Sequence, residues 1–538
     1  MSKRYNHIDF PLTQKKAAVF YERIQNEQVV KQHRFLPFIR FTVDFDKYNR
    51  HNGIQKKERP ISLVAHKDAG IYTLYADKLN EHYNAFSIAA EFSQNAVAYR
   101  NADEFKGVSN ITTAKEVFDF IDVNKNGYVI KGDFKGFFDN LDHEILNNNI
   151  KTVLNYSGLE ITSDWQRVLT NLEKFTFIEK NLLEQEMSLQ NLEFPVRKRK
   201  NEAYFSNLKS FGNFIKSNKS LLNKNSQFGI PQGTSLSAVL ANVYMIEFDD
   251  LISNKVKSMG GIYKRYSDDF IIVIPELKIR DEVFEDFVKC VIKSSQNLLK
   301  LQIEKNKTNL LKFHEGNFVN WKTGGKTGLD YLGFVFSDNT VSVRPKSIYK
   351  FDYRARIAIK AAELSLHSWK LLKEHPDWSA EKLGLYNIPA KEWNRIYISL
   401  SKNESVKRYG GLSKKSWNLL KSHPDWSDNK LGLIGVSRAY LENIYQIKVS
   451  INRAKRVKYH VDRDSTLNEV NTAFKRYMVD SEFVKERESY ISYARKASNI
   501  FDTGNSGYKN SILKQMNRQR AKSQRLKHDM RKYLEENR

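Results

Sequence analysis

Tyr266-Ser267-Asp268-Asp269 lies between two short apolar runs, Gly261-Ile262-Tyr263 and Phe270-Ile271-Ile272-Val273-Ile274. That pattern reads as a β-hairpin with two adjacent carboxylates at its turn. A third acid, Asp133, directly follows the β-rich run Gly127-Tyr128-Val129-Ile130 and precedes Phe137-Phe138-Asp139. A strand that ends in an acid and then turns places that acid beside the hairpin tip. Three carboxylates gathered this way cannot all stay ionised without cations between them. Hard divalent ions with oxygen ligands suit such a set, Mg²⁺ above all, with Mn²⁺ as the alternative. Two such ions, about 3.5–4 Å apart, clamp the attacking and leaving oxygens of an in-line phosphoryl displacement. The expectation is nucleotidyl transfer.

The chain around these acids is long and basic. Its 538 residues suffice for a large core and more than one domain. The 88 Lys and Arg against 62 acids give a formal charge of +26, which points to a polyanionic partner more than to a merely solvated basic surface. Cys290 is the only cysteine, which excludes a disulfide framework and a cysteine-based zinc site. No apolar run approaches the roughly 20 residues that span a bilayer. The first residues lack the apolar stretch of a signal peptide, so the expected compartment is the cytoplasm, with no membrane partner.

Candidate substrate contacts flank the acids. Gln55 to Val64 is base followed by strand, and Arg59 and Lys67 on either side are triphosphate candidates, because Arg grips phosphate oxygens in a bidentate fork. An exposed basic hairpin explains the same residues equally well. Arg100, in Ala98-Tyr99-Arg100-Asn101, is a further phosphate candidate. Phe138 stands where a flat ring would pack against the sugar of an incoming nucleotide and leave no room for a 2′-hydroxyl. Taken singly, such a phenylalanine is more often a core aromatic. Asp139, Asp142 and His143 read as N-terminal helix residues favoured by the dipole.

The stretch Phe228-Gly229-Ile230-Pro231-Gln232-Gly233-Thr234-Ser235 feeds a helix with Ala, Val and Leu spacing. Gly233 lets backbone approach a ligand closely, and Gln232 offers amide donors and an acceptor. Lys307 supplies a cation able to protonate or neutralise departing pyrophosphate. The basic insertion from Arg197 to Lys224 interleaves Tyr204, Phe205, Phe211 and Phe214, which suits either a stacked single strand or an amphipathic helix.

Taken in order, these segments resemble the reverse transcriptases, especially the bacterial branch with group II intron, retron and defence-associated enzymes. The matching residues are Arg59-Pro60-Ile61 in the fingers, Asp133 to His143 as motif A, and Gly229 to Asn242 as motif B. Tyr266 to Asp269 matches motif C, Lys307-Thr308 motif D, and Tyr331-Leu332-Gly333-Phe334 motif E. The resemblance implies an α+β right hand with palm and fingers and a two-Mg²⁺ mechanism. It makes Asp133, Asp268 and Asp269 the metal ligands, with the Phe134 carbonyl beside them. It puts Phe138 on the steric gate, so dNTPs are the implied substrates. Gln232 becomes the contact to template and nucleotide, and Arg59 the leading triphosphate contact.

Some positions depart from the family pattern. Ser237-Ala238 stands where Ser-Pro is usual, and Ser267 where Ala is more common. No Asn-Ala-x-x-His box lies near Asn110, no Val-Thr-Gly follows motif E, and no HNH or zinc endonuclease pattern follows. The long insertion at 150–226 and the helical C-terminal extension resemble the abortive-infection and defence-associated members. That subgroup implies phage defence, DNA synthesis that is untemplated or primed on protein, and a homo-oligomer. The neighbouring alternative is a templated enzyme copying a cognate non-coding RNA. RNA or single-stranded DNA is the implied polyanion in either case. A non-catalytic nucleic-acid-binding scaffold is the alternative of another class.

The expected domains are 1–110 (N-terminal segment and fingers), 111–340 (palm, with the helical basic insertion 150–226), 341–450 and 451–538. The third carries a tandem helical repeat in an all-α, thumb-like domain. Trp369 to Ser379 recurs as Trp417 to Ser427, an offset of 48 residues, and Lys382-Leu383-Gly384-Leu385 recurs as Lys430-Leu431-Gly432-Leu433. The His-Pro-Asp-Trp of each copy reads as a turn with a core tryptophan rather than a metal site. The last segment is basic, with ten Lys or Arg against three acids over 503–538.

Overall fold

The computed structural model describes residues 5–49, 53–100, 108–190, 203–225, 228–276, 280–349, 490–504 and 506–518, with the isolated positions 192, 196–197, 200–201 and 521. The 48-residue repeat lies outside the described residues, as does most of the basic tail. The described chain forms two units. One holds the described residues up to Leu332 together with Phe336–Thr340 and 506–509; the other holds Gly333–Val335, 341–349, 490–504 and 510–521.

Strands of the first unit run in chain order as β1 (Phe38–Asn49), β2 (Gly53–Leu63), β3 (Asn126–Asp133), β4 (Thr176–Glu179), β5 (Val196–Arg197) and β6 (Lys200–Asn201). They continue as β7 (Asn223–Lys224), β8 (Ile262–Tyr266), β9 (Asp269–Pro275), β10 (Asn309–His314), β11 (Asn317–Asn320) and β12 (Lys326–Thr327). One sheet has the order β2-β1-β4-β7, and a second has the order β12-β11-β10-β3-β9-β8. The fold is therefore mixed α/β.

The insertion is not purely helical. Thr176-Phe177-Ile178-Glu179 alternates apolar and polar residues, and β4 lies parallel to β1 with Phe38 opposite Phe177. A parallel partner needs a long crossover, and the whole stretch between β1 and β4 serves as one. Tyr204, Phe205, Phe211 and Phe214 are buried in a small core with Ile8, Ile39, Ile178, Leu183 and Met187. Rings inside a core cannot stack on bases; Phe211 and Phe214 are the buried face of the helix Leu208–Ser217, and Tyr204 and Phe205 precede it.

The six-stranded sheet positions the acids. Tyr128, Val129 and Ile130 of β3 and Phe270 to Ile274 of β9 are all buried. Central strands covered on both faces read as continuous apolar runs, which is why these two segments are so apolar. Helix Asn110–Asn124 lies against β3, β8 and β9, and helix Ile246–Ser258 against β8. Phe134, Phe248 and Phe270 interlock beneath the acidic end of the sheet.

Asp142 is the N-cap of helix His143–Tyr156, where it accepts from the N–H groups of Glu144 (2.9 Å) and Ile145 (3.1 Å) and pairs with Lys300 at 2.7 Å. Burial alone would raise its carboxyl, but Lys300 and these N–H groups hold it below its ordinary range. Asp142→Ala should cost about 1 kcal/mol of unfolding free energy. A depressed folded value contributes stability above the unfolded value and loses it as pH falls through the folded one. The gap between parent and variant, read by denaturant titration, should therefore close in acid.

Candidate active site

Register puts the three acids together. Asp133 ends β3 and sits directly opposite Asp269, the first residue of β9. Directly opposed residues on one face of an antiparallel pair hold their Cβ atoms about 4.5–5.5 Å apart. Tyr266 pairs with Asp269, which leaves Ser267 and Asp268 as a two-residue hairpin turn. Ser267 takes φ 60°, the positive value that turns matching the strand twist require. The Phe134 N–H donates to the Asp268 carbonyl at 3.3 Å, so the backbone after Asp133 faces the turn.

Electrostatics reports the same convergence. The Asp269 carboxyl is raised above its ordinary value by burial and then by the charges of Asp268 and Asp133, against the pull of Lys131 and Lys307. Lys307 ends the short 3-10 turn Lys305–Lys307, anchored where the Glu304 N–H donates to the Asp133 carbonyl at 2.8 Å. Its ammonium reaches back to Asp133 Oδ1 at 2.5 Å. Among the described residues, no three Asp, Glu, His or Cys side chains close on one point as a ready-made ion cage. The donor chemistry nevertheless fits divalent ions: it is anionic, all oxygen, and free of His and Cys. Lys307 currently supplies the positive charge at Asp133, from a flexible side chain that is 40% exposed.

A buried network holds the turn from behind. The Arg265 guanidinium, fully buried, forks onto Asp249, donating from Nε at 2.9 Å and from Nη2 at 2.5 Å. Its Nη1 donates to the Ser267 carbonyl at 3.0 Å and to Asn242 Oδ1 at 3.2 Å. Tyr263 also donates to Asp249, at 2.6 Å. Burial on its own would lower the guanidinium's value, but Asp249 carries it above the ordinary one. Sequence reasoning missed this network. Arg265 directly precedes the motif, but its partner lies 16 residues earlier on a helix, and no local pattern joins them.

The remaining candidates divide. Gly229 N–H donates to the Leu141 carbonyl (2.8 Å) and Ile230 N–H to that of Phe138 (2.9 Å), so the glycine-rich loop runs along the segment after Asp133. Gly229 has φ 82°, and a Cβ there would stand 2.7 Å from the Asp139 carbonyl oxygen. Ser62 N–H donates to the Gln232 carbonyl at 3.2 Å, and a Cβ on Gly233 would lie 2.9 Å from the Ser62 carbonyl oxygen. That contact brings exposed Gln232 and Gly233 against β2, three residues from exposed Arg59. Phe138 is half-buried, edge-on to Phe137, with part of its ring left open.

Two candidates point elsewhere. Lys67 lies in the first turn of helix His66–Ala89 and lines a cavity of about 380 Å³ with Asp9, Lys16 and Phe205, none of them in the acidic set. The Arg100 guanidinium is turned inward. It donates to the Ser87 hydroxyl at 2.9 Å and to the Ser93 and Ala96 carbonyls, and it stacks on Tyr83.

A family model described as reverse transcriptase (RNA-dependent DNA polymerase) matches residues 47–336, more than half of the chain. Solved telomerase structures also match. Apo telomerase from Candida tropicalis truncated from the C-terminal domain is 14% identical with a TM-score of 0.33, over 58% of this chain and 60% of that one. Telomerase from Candida albicans in complex with a TWJ fragment of telomeric RNA is 12% identical with a TM-score of 0.33, over 93% and 74%. Apo telomerase from Candida tropicalis is 13% identical with a TM-score of 0.35, over 87% and 77%. The chain thus spans less than two thirds of the first of these. Among curated proteins nothing matches significantly. Among the described residues, no helix is long and apolar enough to cross a membrane.

Proposed function

The chain belongs to the reverse transcriptase (RNA-dependent DNA polymerase) family, and we propose that it is a DNA polymerase that adds deoxynucleotides with two divalent ions, Mg²⁺ first, in bacterial defence against phage. The observation carrying the polymerase reading is the register of Asp133 against Asp269, with Asp268 in the adjoining turn. The defence reading is supported by the sequence layout, in which a long basic insertion at 150–226 precedes the carboxylate hairpin and a 48-residue repeat follows it.

Asp133, Asp268, Asp269 and the Phe134 carbonyl are the groups that would hold the ions. Bound there, the ions supply Lewis-acid stabilisation of charge on the attacking and leaving oxygens. The chain's own residues do the rest. Arg59 offers an exposed guanidinium to the triphosphate. Gln232 and Gly233, seated on Ser62, present backbone and amide to the incoming nucleotide. The half-exposed Phe138 ring blocks a 2′-hydroxyl. A 3′-hydroxyl of the growing strand, or a hydroxyl of protein, gives its proton to solvent water and attacks the α-phosphorus. The bond to pyrophosphate breaks, and Lys307, once released from Asp133, gives that leaving group a proton or its charge. Positioning and charge stabilisation account for most of such catalysis.

The test is incorporation by the purified chain, with and without an RNA template, followed by sequencing of the product. Deoxynucleotide incorporation abolished by a chelator supports the reading. A homogeneous copy of one RNA indicates templating; a random or single-base polymer indicates free synthesis. Phe138→Ala should raise the relative use of ribonucleotides on the order of a hundredfold, and an unchanged sugar preference removes Phe138 from the gate. No incorporation under any condition would leave the Lys307–Asp133 pair as a closed site on a nucleic-acid-binding scaffold.

A further inference from the structure

Between Asn95 and Tyr99 the chain is buried except at its last residue. Asn95, Ala96, Val97 and Ala98 are each at most 9% exposed, whereas Tyr99 is 43% exposed. The segment is clamped on several sides. Arg265 N–H donates to the Asn95 carbonyl at 2.7 Å, and Val97 N–H donates to the Arg265 carbonyl at 3.0 Å. The Asn242 amide donates to the Ala98 carbonyl at 2.8 Å, and Arg100 ties down Ala96 and Ser93.

This clamp holds Tyr99 at φ 62°. A bulky aromatic rarely adopts that backbone, and such strain persists only where its surroundings over-determine it. Burial of the ring does not explain it, because much of the ring faces outward. The Tyr99 hydroxyl donates to Ser267 Oγ at 3.5 Å, one residue before Asp268. The fold thus spends strain to keep an open aromatic face beside the carboxylate turn.

We propose that Tyr99 is a nucleic-acid contact whose exposed ring packs against the terminal nucleotide of the growing strand. This rests on the polymerase reading, since that strand must bring its 3′-hydroxyl to Asp133, Asp268 and Asp269. The incoming nucleotide's candidates, Gln232, Gly233 and Phe138, are held on β2 and on the segment after Asp133. Tyr99 is held instead by Asn242, Arg265 and the hairpin turn. An aromatic face binds any base or sugar, which suits a strand whose end changes at every step.

The experiment measures the affinity of a fluorescent primer–template hairpin by anisotropy, the deoxynucleotide KM and the melting midpoint. Tyr99→Ala and Tyr99→Gly should each bind the hairpin about tenfold more weakly, with deoxynucleotide KM within about twofold of the parent. Glycine accepts φ 62° without strain, so Tyr99→Gly separates loss of the ring from loss of fold. Tyr99→Phe keeps the ring and should recover most of the affinity. If Tyr99→Gly binds the hairpin as the parent does, or weakens only as its melting midpoint falls, Tyr99 is no strand contact. A parent that incorporates no deoxynucleotide overturns the polymerase reading and this inference with it; a parent that incorporates normally beside an unimpaired Tyr99→Gly overturns this inference alone.

Discussion

Asp269→Asn should melt above the parent in the absence of divalent ions and incorporate deoxynucleotides on the order of a thousandfold more slowly. The two halves have one cause. Asp269 is half-buried beside Asp268 and Asp133, and its carboxyl is raised by burial and by their charges. A folded value above the unfolded one means that the ionised group costs stability. Stability is full below the unfolded value and is lost as pH rises through the folded one. Removing the charge recovers that loss at neutral pH, and the gap should close in acid. Asn keeps the volume but donates where a cation needs an anionic oxygen. Mg²⁺ should therefore raise the melting midpoint of the parent and have little effect on the variant, because a ligand that binds only the folded state stabilises it by mass action. That readout does not depend on turnover. A variant that melts below the parent and responds to Mg²⁺ like it would place the ions elsewhere.

What was legible in the sequence follows from how local each feature is. The apolar runs on β3 and β9 and the acids at their ends are written in consecutive residues, so the sheet core and the three aspartates could be read directly. The Pro231-Gln232-Gly233 turn was legible because Gly233 serves a close backbone approach, here to Ser62. β4 was hidden because its partner β1 lies more than a hundred residues earlier, and four residues of alternation are too few to separate strand from helix. The aromatics of the insertion gave an ambiguous signal, since stacking platforms and small cores use the same side chains. Arg100 looked like a phosphate ligand because composition cannot tell an outward guanidinium from one folded onto Tyr83 and Ser87. Tyr99 was passed over because backbone strain leaves no trace in residue type. Lys307 was assigned to pyrophosphate from its position, but its contact with Asp133 depends on the geometry of the turn at Lys305–Lys307.

Asp249→Ala should destabilise the fold by about 3–5 kcal/mol, a large share of the roughly 5–15 kcal/mol that holds a typical domain. The size comes from what remains behind. Arg265 is fully buried, and without Asp249 its guanidinium keeps Asn242 and the Ser267 carbonyl but no counter-charge. Low stability would itself reduce incorporation, so this variant alone cannot separate support of the fold from support of the turn. Replacing the whole polar group can. Asp249→Leu with Arg265→Met removes both charges, and Tyr263→Phe removes the hydroxyl that Asp249 would otherwise leave unpaired. Exchange of a buried ion pair for apolar residues of similar volume is often neutral or stabilising, so the triple variant should regain most of the lost melting temperature. It should not regain incorporation. The Ser267 carbonyl has lost its Nη1 donor, and the turn that aims Asp268 is then held only by its strands. Arg265→Lys, which keeps the charge but not the planar fork, should fall between the two. Denaturant titration and incorporation measured on the same preparations decide the matter: if the triple variant extends strands at the parent's rate, the Arg265–Asp249 pair serves stability alone and Asp268 needs no support from beneath.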